Sequence, residues 1–232
     1  KRAFFDLVAS SNAKAKKVRI VEKPIADALG AELDVMTAHG VMIVDIGADT
    51  TEVSIISLGG IVLSKLIPVG GNKLDEAIIL NVKKNYNLII GQKTAETIKK
   101  QLGCALPPKE ERTVKVYGRD VLSGLPIERE ISASFVYETI AEYMHSIIDA
   151  VRIILEKTPP EISSDIIDSG VYLAGGSSNI FELDKLMAQE TELNINMCED
   201  PANTVVKGLG RIIENNKLSA LALTLKQTYY GG

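Results

Sequence analysis

Two periods of apolar residues run along this chain, and the points where one gives way to the other mark its elements. Val41 to Val44 is a continuous apolar run that stops at Asp45, Ile46 to Thr51 is mostly small and polar, and Val53, Ile55 and Ile56 resume β-favouring residues. The spacing predicts a strand, a tight turn and a second strand. Leu58-Gly59-Gly60-Ile61 then turns the chain into a third strand, Val62 to Val69, so these residues read as an antiparallel meander.

Helical spacing takes over after Gly70-Gly71. Leu74, Ala77, Ile78 and Val82 predict a helix from Lys73 to about Asn85, and Ala95, Ile98 and Leu102 predict another over Gly91 to Leu102. Thr113 to Leu122 and Leu125 to Ile131 read as a hairpin turning near Ser123-Gly124. The clearest helix follows, capped by Ser132 or Ser134, with Val136, Ile140, Met144, Ile147, Val151 and Ile154 on one face; Thr158-Pro159-Pro160 stops it. A strand from Gly170 to Ala174 runs into Gly175-Gly176-Ser177-Ser178 and a helix with Ile180, Leu183, Leu186 and Met187 inward. Ile195 to Cys198 reads as a strand. Asp200-Pro201 starts a helix with Val205, Val206, Leu209, Ile212 and Ile213 inward, and Leu218, Leu221 and Leu225 suggest one more.

Ahead of the meander, residues 3–15 look like the end of a helix with Phe4, Phe5 and Val8 on one side, and Val18 to Val21 a short strand. Pro24 opens a helix at its first turn, where a missing N–H costs nothing; Ile25, Ala28 and Leu29 give it an apolar face and Gly30 lies near its end. Strands and helices together make an α/β chain.

Composition narrows the function classes. A net charge of −4 supplies no basic field for nucleic acid, and with no Trp, seven Tyr and four Phe, base-stacking platforms are not expected. Cys104 and Cys198 lack metal-ligand spacing and there are two His in all, which argues against zinc and for a reduced, intracellular protein. No apolar run approaches the roughly 20 residues of a membrane span.

Two glycine turns carry the candidate chemistry. A carboxylate ending a buried strand, Asp45, followed by the small residues Gly47, Ala48, Asp49, Thr50 and Thr51, suits a phosphate and its hydrated metal. Gly175-Gly176-Ser177-Ser178 puts bare backbone and a helix N-terminus after a second strand. Each alone also fits an ordinary tight turn. Together with Gly70-Gly71 before a helix, they are what a nucleotide held in a cleft between similar halves needs.

These segments resemble the MreB family of bacterial actins, within the actin/Hsp70/sugar-kinase superfamily. The resemblance rests on Asp45 to Val53, Ile56 to Val62, Val69 to Ile78, Thr94 to Glu96, Gly118 to Asp120, Gly124 to Pro126, Leu155 to Glu161, Asp165 to Asp168 and Glu199 to Pro201, and it runs from about Lys1 to Ile213. It implies an actin-like ATPase (ribonuclease H-like) fold whose lobes clasp ATP or ADP with Mg²⁺. Residues 1–40 would end the first lobe, 41–90 and 133–215 would form the large nucleotide-binding subdomain, 91–132 the small one, and 216–232 a C-terminal helix or tail. The family's first phosphate hairpin, most of one lobe and its membrane-attaching elements would lie ahead of Lys1.

By the same resemblance, Asp45 would order the metal's water shell and Thr50 would join it in the catalytic group. Gly47 to Thr51 would be the phosphate hairpin and Gly71 would sit near the phosphates. Glu96 and Lys99, three apart on one helix face, would reach the ribose, although by spacing alone they also fit a solvated surface ion pair, and Thr97 and Ile98 between them would belong to the nucleotide-binding set. Gly175, Gly176, Ser177 and Ser178 would line the adenine and α-phosphate. The function implied is a cytoplasmic filament-forming protein with ATP as its switch, associated with itself, with other MreB-like proteins and with membrane-associated shape proteins. It would govern cell shape, or helicity and motility in a wall-less cell. A small-molecule kinase or chaperone-type ATPase of the same superfamily is the alternative.

The chain departs from the family at three places. Glu22-Lys23-Pro24 stands where the family has Glu-Glu-Pro, so Lys23 occupies the general-base position, and a lysine cationic at neutral pH is a poor base. Gly47-Ala48-Asp49-Thr50 stands for Gly-Gly-Gly-Thr, and Gly175-Gly176-Ser177 for a glycine triplet. The expectation is that Lys23 and Asp49 form a compensating pair, with nucleotide bound and hydrolysis slow or lost.

Overall fold

Strand β1 (Val41–Ile46) is buried at every residue because helices cover both faces of the sheet it centres. The computed structural model of the chain describes residues 2–11 and 18–223. β1 pairs antiparallel with β2 (Thr51–Ser57), which pairs antiparallel with β3 (Gly60–Ile67). On its other side β1 runs parallel to β7 (Val171–Ala174), and β7 parallel to β8 (Ile195–Met197). The order β3-β2-β1-β7-β8, with β2 alone reversed, is that of a ribonuclease H-like sheet.

Alternation along β1 assigns each side chain to a face. Met42, Val44 and Ile46 join the main core with α3 (Gly71–Tyr86), α4 (Gln92–Leu102) and the long α5 (Ala133–Glu156). Ile43 joins a second core with α2 (Lys23–Gly30) and α8 (Thr204–Glu214). Asp45, two residues after Ile43, therefore ends β1 on the α2 side. α2 and α8 approach so closely that a Cβ on Gly30 would overlap the Thr204 carbonyl, and one on Gly208 the Ala26 carbonyl. A second, three-stranded sheet, β4 (Leu88–Ile89), β5 (Thr113–Asp120) and β6 (Pro126–Ser132), flanks α4.

The meander, the hairpin and the long helix lie where the periodicity puts them. Of the two proposed caps, Ser132 serves: its Oγ accepts from the Phe135 N–H at 3.3 Å, while the Ser134 hydroxyl bonds Glu111. Four expectations change. Pro159-Pro160 ends α5 but also starts α6 (Pro160–Ser169), because proline fits a first helical turn. The inward face of α8 is Thr204, Gly208 and Ile212; Val206 and Ile213 point outward, at 60% and 81% exposure. Among the described residues after Asn215 the helical structure is one short 3₁₀ turn, Leu218–Leu221, and Leu225 lies outside the described residues. At the start, α1 (Arg2–Ser10) exposes Phe4, Leu7 and Val8; the Phe5 side chain and residues 12–17 lie outside what is described. Of Val18 to Val21, only Ile20 pairs, in a bridge to Leu223.

Candidate functional site

The two glycine turns meet, and a third joins them. Gly47 N–H closes the first turn on the Thr50 carbonyl at 2.9 Å. The Gly47 carbonyl accepts from Gly71 N–H at 3.0 Å and from the Ser177 hydroxyl at 2.9 Å, and the Ala48 carbonyl accepts from Asn72 N–H at 2.7 Å. The start of α3 and the 3₁₀ turn Gly176–Asn179 are thus both pinned to the hairpin. Between them opens a 620 Å³ cavity lined by Gly47, Ala48, Gly71, Asn72, Asp75, Glu96, Lys99, Lys100, Gly176, Ser177, Asn179, Ile180 and Ala202. Its size is within the range of small-molecule sites. A second cavity of 630 Å³ lies by α8; both of its basic residues are ion-paired, Lys207 with Asp200 at 3.1 Å and Arg211 with Glu32.

Seven of the sequence-assigned residues line the first cavity: Gly47, Ala48, Gly71, Glu96, Lys99, Gly176 and Ser177. Lys99 is bound elsewhere, its Nζ 2.8 Å from Asp75 Oδ1 and donating to the Gly71 carbonyl at 2.8 Å. Glu96 pairs with Lys100 at 2.6 Å, and this hydrogen bond holds its carboxyl below the usual range. Both residues line the cavity, and each has its own partner on the protein. Thr97 is exposed and its hydroxyl donates back to the Lys93 carbonyl, while Ile98 is a core residue. α4 shows the cavity only one edge, and those two residues sit off it.

The remaining assigned residues support the turns from outside the cavity lining. Thr51 is buried and donates to the Val69 carbonyl at 2.7 Å; Ser178 is buried and donates to Gly175 O at 2.7 Å. The Thr50 carbonyl closes the hairpin. Gly175 has φ +82°, and a Cβ there would overlap Asp45 Oδ1 and the Ile46 carbonyl, so this position requires glycine.

The expected Lys23–Asp49 pair does not form. Asp49 accepts from Asn72 Nδ2 at 2.8 Å, at the exposed tip of the hairpin. The Lys23 ammonium instead covers Oδ2 of Asp45, because the first turn of α2 lies over the C-terminal end of β1. One helical turn on, Asp27 reaches the same carboxylate. It is 1% exposed, hydrogen-bonds Asp45, and accepts from the Thr204 hydroxyl at 2.6 Å. Burial first, and the Asp45 charge second, push the Asp27 carboxyl up to about 8; the Thr204 hydrogen bond opposes them. Protonated, Asp27 can donate to Asp45, which accounts for a buried oxygen that no N–H or hydroxyl reaches. Across the β1–β2 ladder Glu52 is also raised by burial, with Lys23 opposing. Burial, then the two nearby aspartates, push Cys198 up to about 11, so it is no thiolate nucleophile near neutral pH.

Sequence reading missed Asp27, Thr204, Asn72 and Asp75. Two of them left a signal: Asp27 interrupts the apolar run of α2, and Asp75 follows the core residue Leu74.

A family model described as MreB/Mbl protein matches residues 1–220. The chain belongs to the MreB/Mbl family. It is 41% identical to the cell shape-determining protein MreB of Escherichia coli (strain K12), over 89% of this chain and 59% of that protein. It is 37% identical to the cell shape-determining protein Mbl of Bacillus subtilis (strain 168), over 89% and 62%. The solved structure of MreB5 of Spiroplasma citri bound to ADP superimposes with a TM-score of 0.88 at 36% identity, covering 94% of this chain and 66% of that one. A structure described as the MamK double helical filament, at 22% identity and TM-score 0.69, has the same actin-like fold. The chain spans about three fifths of the length of the curated relatives it matches.

Within the MreB/Mbl fold, the residues at Asp45 do not fit a hydrated magnesium ion. Oδ2 is covered by the Lys23 ammonium, Oδ1 lies against the Gly175 backbone, and the side chain is only 6% exposed. Among the described residues no group of three His, Cys, Asp or Glu is placed to hold a metal ion. Among the described residues no helix is long and apolar enough to cross a membrane.

Proposed function

We propose that this chain is the nucleotide-binding part of a bacterial actin-like cytoskeletal protein. It binds ATP or ADP and assembles with copies of itself into filaments that govern cell shape, or helicity and motility in a wall-less cell. The carrying observation is the junction of three turns at the Gly47 carbonyl, which frames one cavity with backbone and small polar side chains. Supporting it, MreB5 of Spiroplasma citri is bound to ADP in one solved structure and to AMPPNP in another, both over most of this chain.

In this reading Gly47, Ala48 and Ser177 border the phosphates, Gly176 and Ile180 the base, and Glu96 the ribose. Residues 91–132 act as the small subdomain, 41–90 and 133–215 as the large one, and 1–40 as the end of the first lobe. The protein works in the cytoplasm, at the membrane surface where membrane-associated shape proteins and other MreB-like chains meet it. Hydrolysis is slow or lost, because Lys23 offers no base; a missing general base lowers the rate by about 10²–10⁴-fold. The magnesium ion implied by the family resemblance has no free carboxylate at Asp45.

The test takes the complete protein with ATP, ADP and no nucleotide through sedimentation and negative-stain microscopy, with phosphate release followed in parallel. Nucleotide-dependent filaments with little release are expected. Soluble protein that turns over ATP only when a sugar is added would overturn the reading in favour of a kinase.

A further inference from the structure

Most hydrogen-bonding side chains along the cavity are committed to one another. Lys99 holds Asp75 and the Gly71 carbonyl, Lys100 holds Glu96, and the Ser177 hydroxyl donates to the Gly47 carbonyl. Asn72 gives its amide nitrogen to Asp49 at the hairpin tip. Asn179 ends the 3₁₀ turn Gly176–Asn179 and lines the same cavity, with Ile180 next to it and Ala202 from the turn that follows β8. Its Nδ2 donates to the Gly176 carbonyl at 3.2 Å. A carbonyl can only accept, so the amide cannot turn end for end without losing that bond and setting two oxygens against each other. An amide nitrogen has two N–H groups and the amide oxygen two lone pairs. Among the described residues nothing else bonds this exposed side chain, so Asn179 keeps Oδ1 and one N–H for a ligand, in an order the turn itself fixes.

We propose that Asn179 makes the nucleotide site selective for adenine over 6-oxopurines such as guanine. This rests on the nucleotide reading of the cavity, in which Gly176 and Ile180 border the base; Asn179 lies between them in the chain and lines the cavity with them. Along one edge adenine carries an amino group that donates and a ring nitrogen, N7, that accepts. Oδ1 of Asn179 meets the first and its remaining N–H meets the second. Guanine presents two acceptors along that edge, O6 and N7, so Oδ1 would face O6 with no proton between them. An unanchored asparagine would escape by turning its amide over; the Gly176 carbonyl holds it. Ile180 and Ala202 give the ring apolar contact and no side-chain hydrogen bond that could compensate.

The experiment measures the affinity of the complete protein for ADP, GDP and inosine diphosphate by calorimetric titration. Inosine diphosphate is a 6-oxopurine without the guanine 2-amino group, so it isolates the 6-position. The series is repeated with Asn179→Ala, with a circular dichroism melt of each protein. The unmodified protein is expected to bind ADP about ten- to a hundredfold more tightly than either 6-oxopurine, the discrimination of one asparagine–adenine pair. Asn179→Ala is expected to lose ADP affinity and to bring all three ligands within about threefold of one another. Equal binding of ADP and inosine diphosphate by the unmodified protein, or a preference that survives in Asn179→Ala, overturns the inference while leaving the nucleotide reading intact. Absence of binding by all three removes the nucleotide reading and the inference with it. If Asn179→Ala melts without a folded baseline, the ratio of ADP to inosine diphosphate affinity in the unmodified protein decides by itself.

Discussion

Lys99 on α4 and Asp75 on α3 form a buried ion pair, Nζ to Oδ1 at 2.8 Å, with the side chains 11% and 3% exposed. The same ammonium donates to the Gly71 carbonyl at 2.8 Å, so it fastens the small sheet's helix to the first turn of α3 at the cavity wall. Burial raises the Asp75 carboxyl and the Lys99 hydrogen bond opposes that rise. Removing the lysine alone leaves a buried carboxylate with one long contact, from Gln92 Nε2 at 3.4 Å. Lys99→Met is expected to cost about 3–5 kcal/mol, while Lys99→Met with Asp75→Leu recovers most of it, since apolar replacements of a buried pair are often tolerated. Urea unfolding of the two variants, compared as a cycle with Asp75→Leu, checks this; equal losses in the single and double variants would show that the pair is not the source.

The Ser177 hydroxyl ties the second glycine turn to the Gly47 carbonyl at 2.9 Å. Ser177→Ala removes one partly buried hydrogen bond, worth about 1 kcal/mol of stability. The hairpin keeps its bonds from Gly71 and Asn72, so the fold persists. Nucleotide affinity should fall by more than stability does, because the turn that borders the phosphates loses its anchor. A titration with ADP beside a thermal melt separates the two; a melt shift with unchanged affinity would place Ser177 outside the binding surface.

Gly208 is where α8 touches α2. A Cβ there would overlap the Ala26 carbonyl, and the Thr204 carbonyl stands equally close to Gly30. Neither neighbour is a flexible side chain, so the helices must separate to admit a methyl group. Gly208→Ala should therefore destabilise by several kcal/mol, although alanine favours helices by about 1 kcal/mol over glycine. A gain in melting temperature would contradict the close approach. Because Lys23 and Asp27 lie on α2, a tolerated variant should also show altered chemistry at Asp45.

Sequence alone carried the elements whose apolar spacing is unbroken. Val136 to Ile154 could only be one long helix, and the meander with Asp45 at its strand end was legible from turn residues. It misled wherever small or polar residues do the packing. α8 turns inward with Thr204 and Gly208, so the more hydrophobic Val206 and Ile213 drew the wrong face. α6 was hidden by two prolines that serve as both stop and start. β4 is two residues long and leaves no periodic trace. At the site, charge complementarity suggested Lys23 with Asp49, but pairing is decided by which strand end a helix covers. α2 covers β1, so Asp45 and the unsuspected Asp27 receive the lysine's end of the helix.

Asp27 makes the stability of this fold depend on pH in a direction opposite to that of most carboxylates. Its ordinary value of 3.8 is raised to about 8 by burial and by the Asp45 charge, so the folded state holds a proton that the unfolded chain has released. Between those two values the folded state binds more protons, and the contribution is fully present below about pH 4. It is lost as pH rises towards 8, at about 1.4 kcal/mol per unit while the proton is held. Asp27→Asn mimics the protonated acid: its carbonyl can still accept from Thr204 and its amide can donate to Asp45. The difference in unfolding free energy between Asp27→Asn and the unmodified protein should therefore grow in favour of the variant from pH 5 to pH 8 and level off above that. Urea melts at intervals of half a pH unit provide the measurement. Parallel curves for the two proteins would mean that Asp27 is already ionised in the fold, with Lys23 balancing both aspartates.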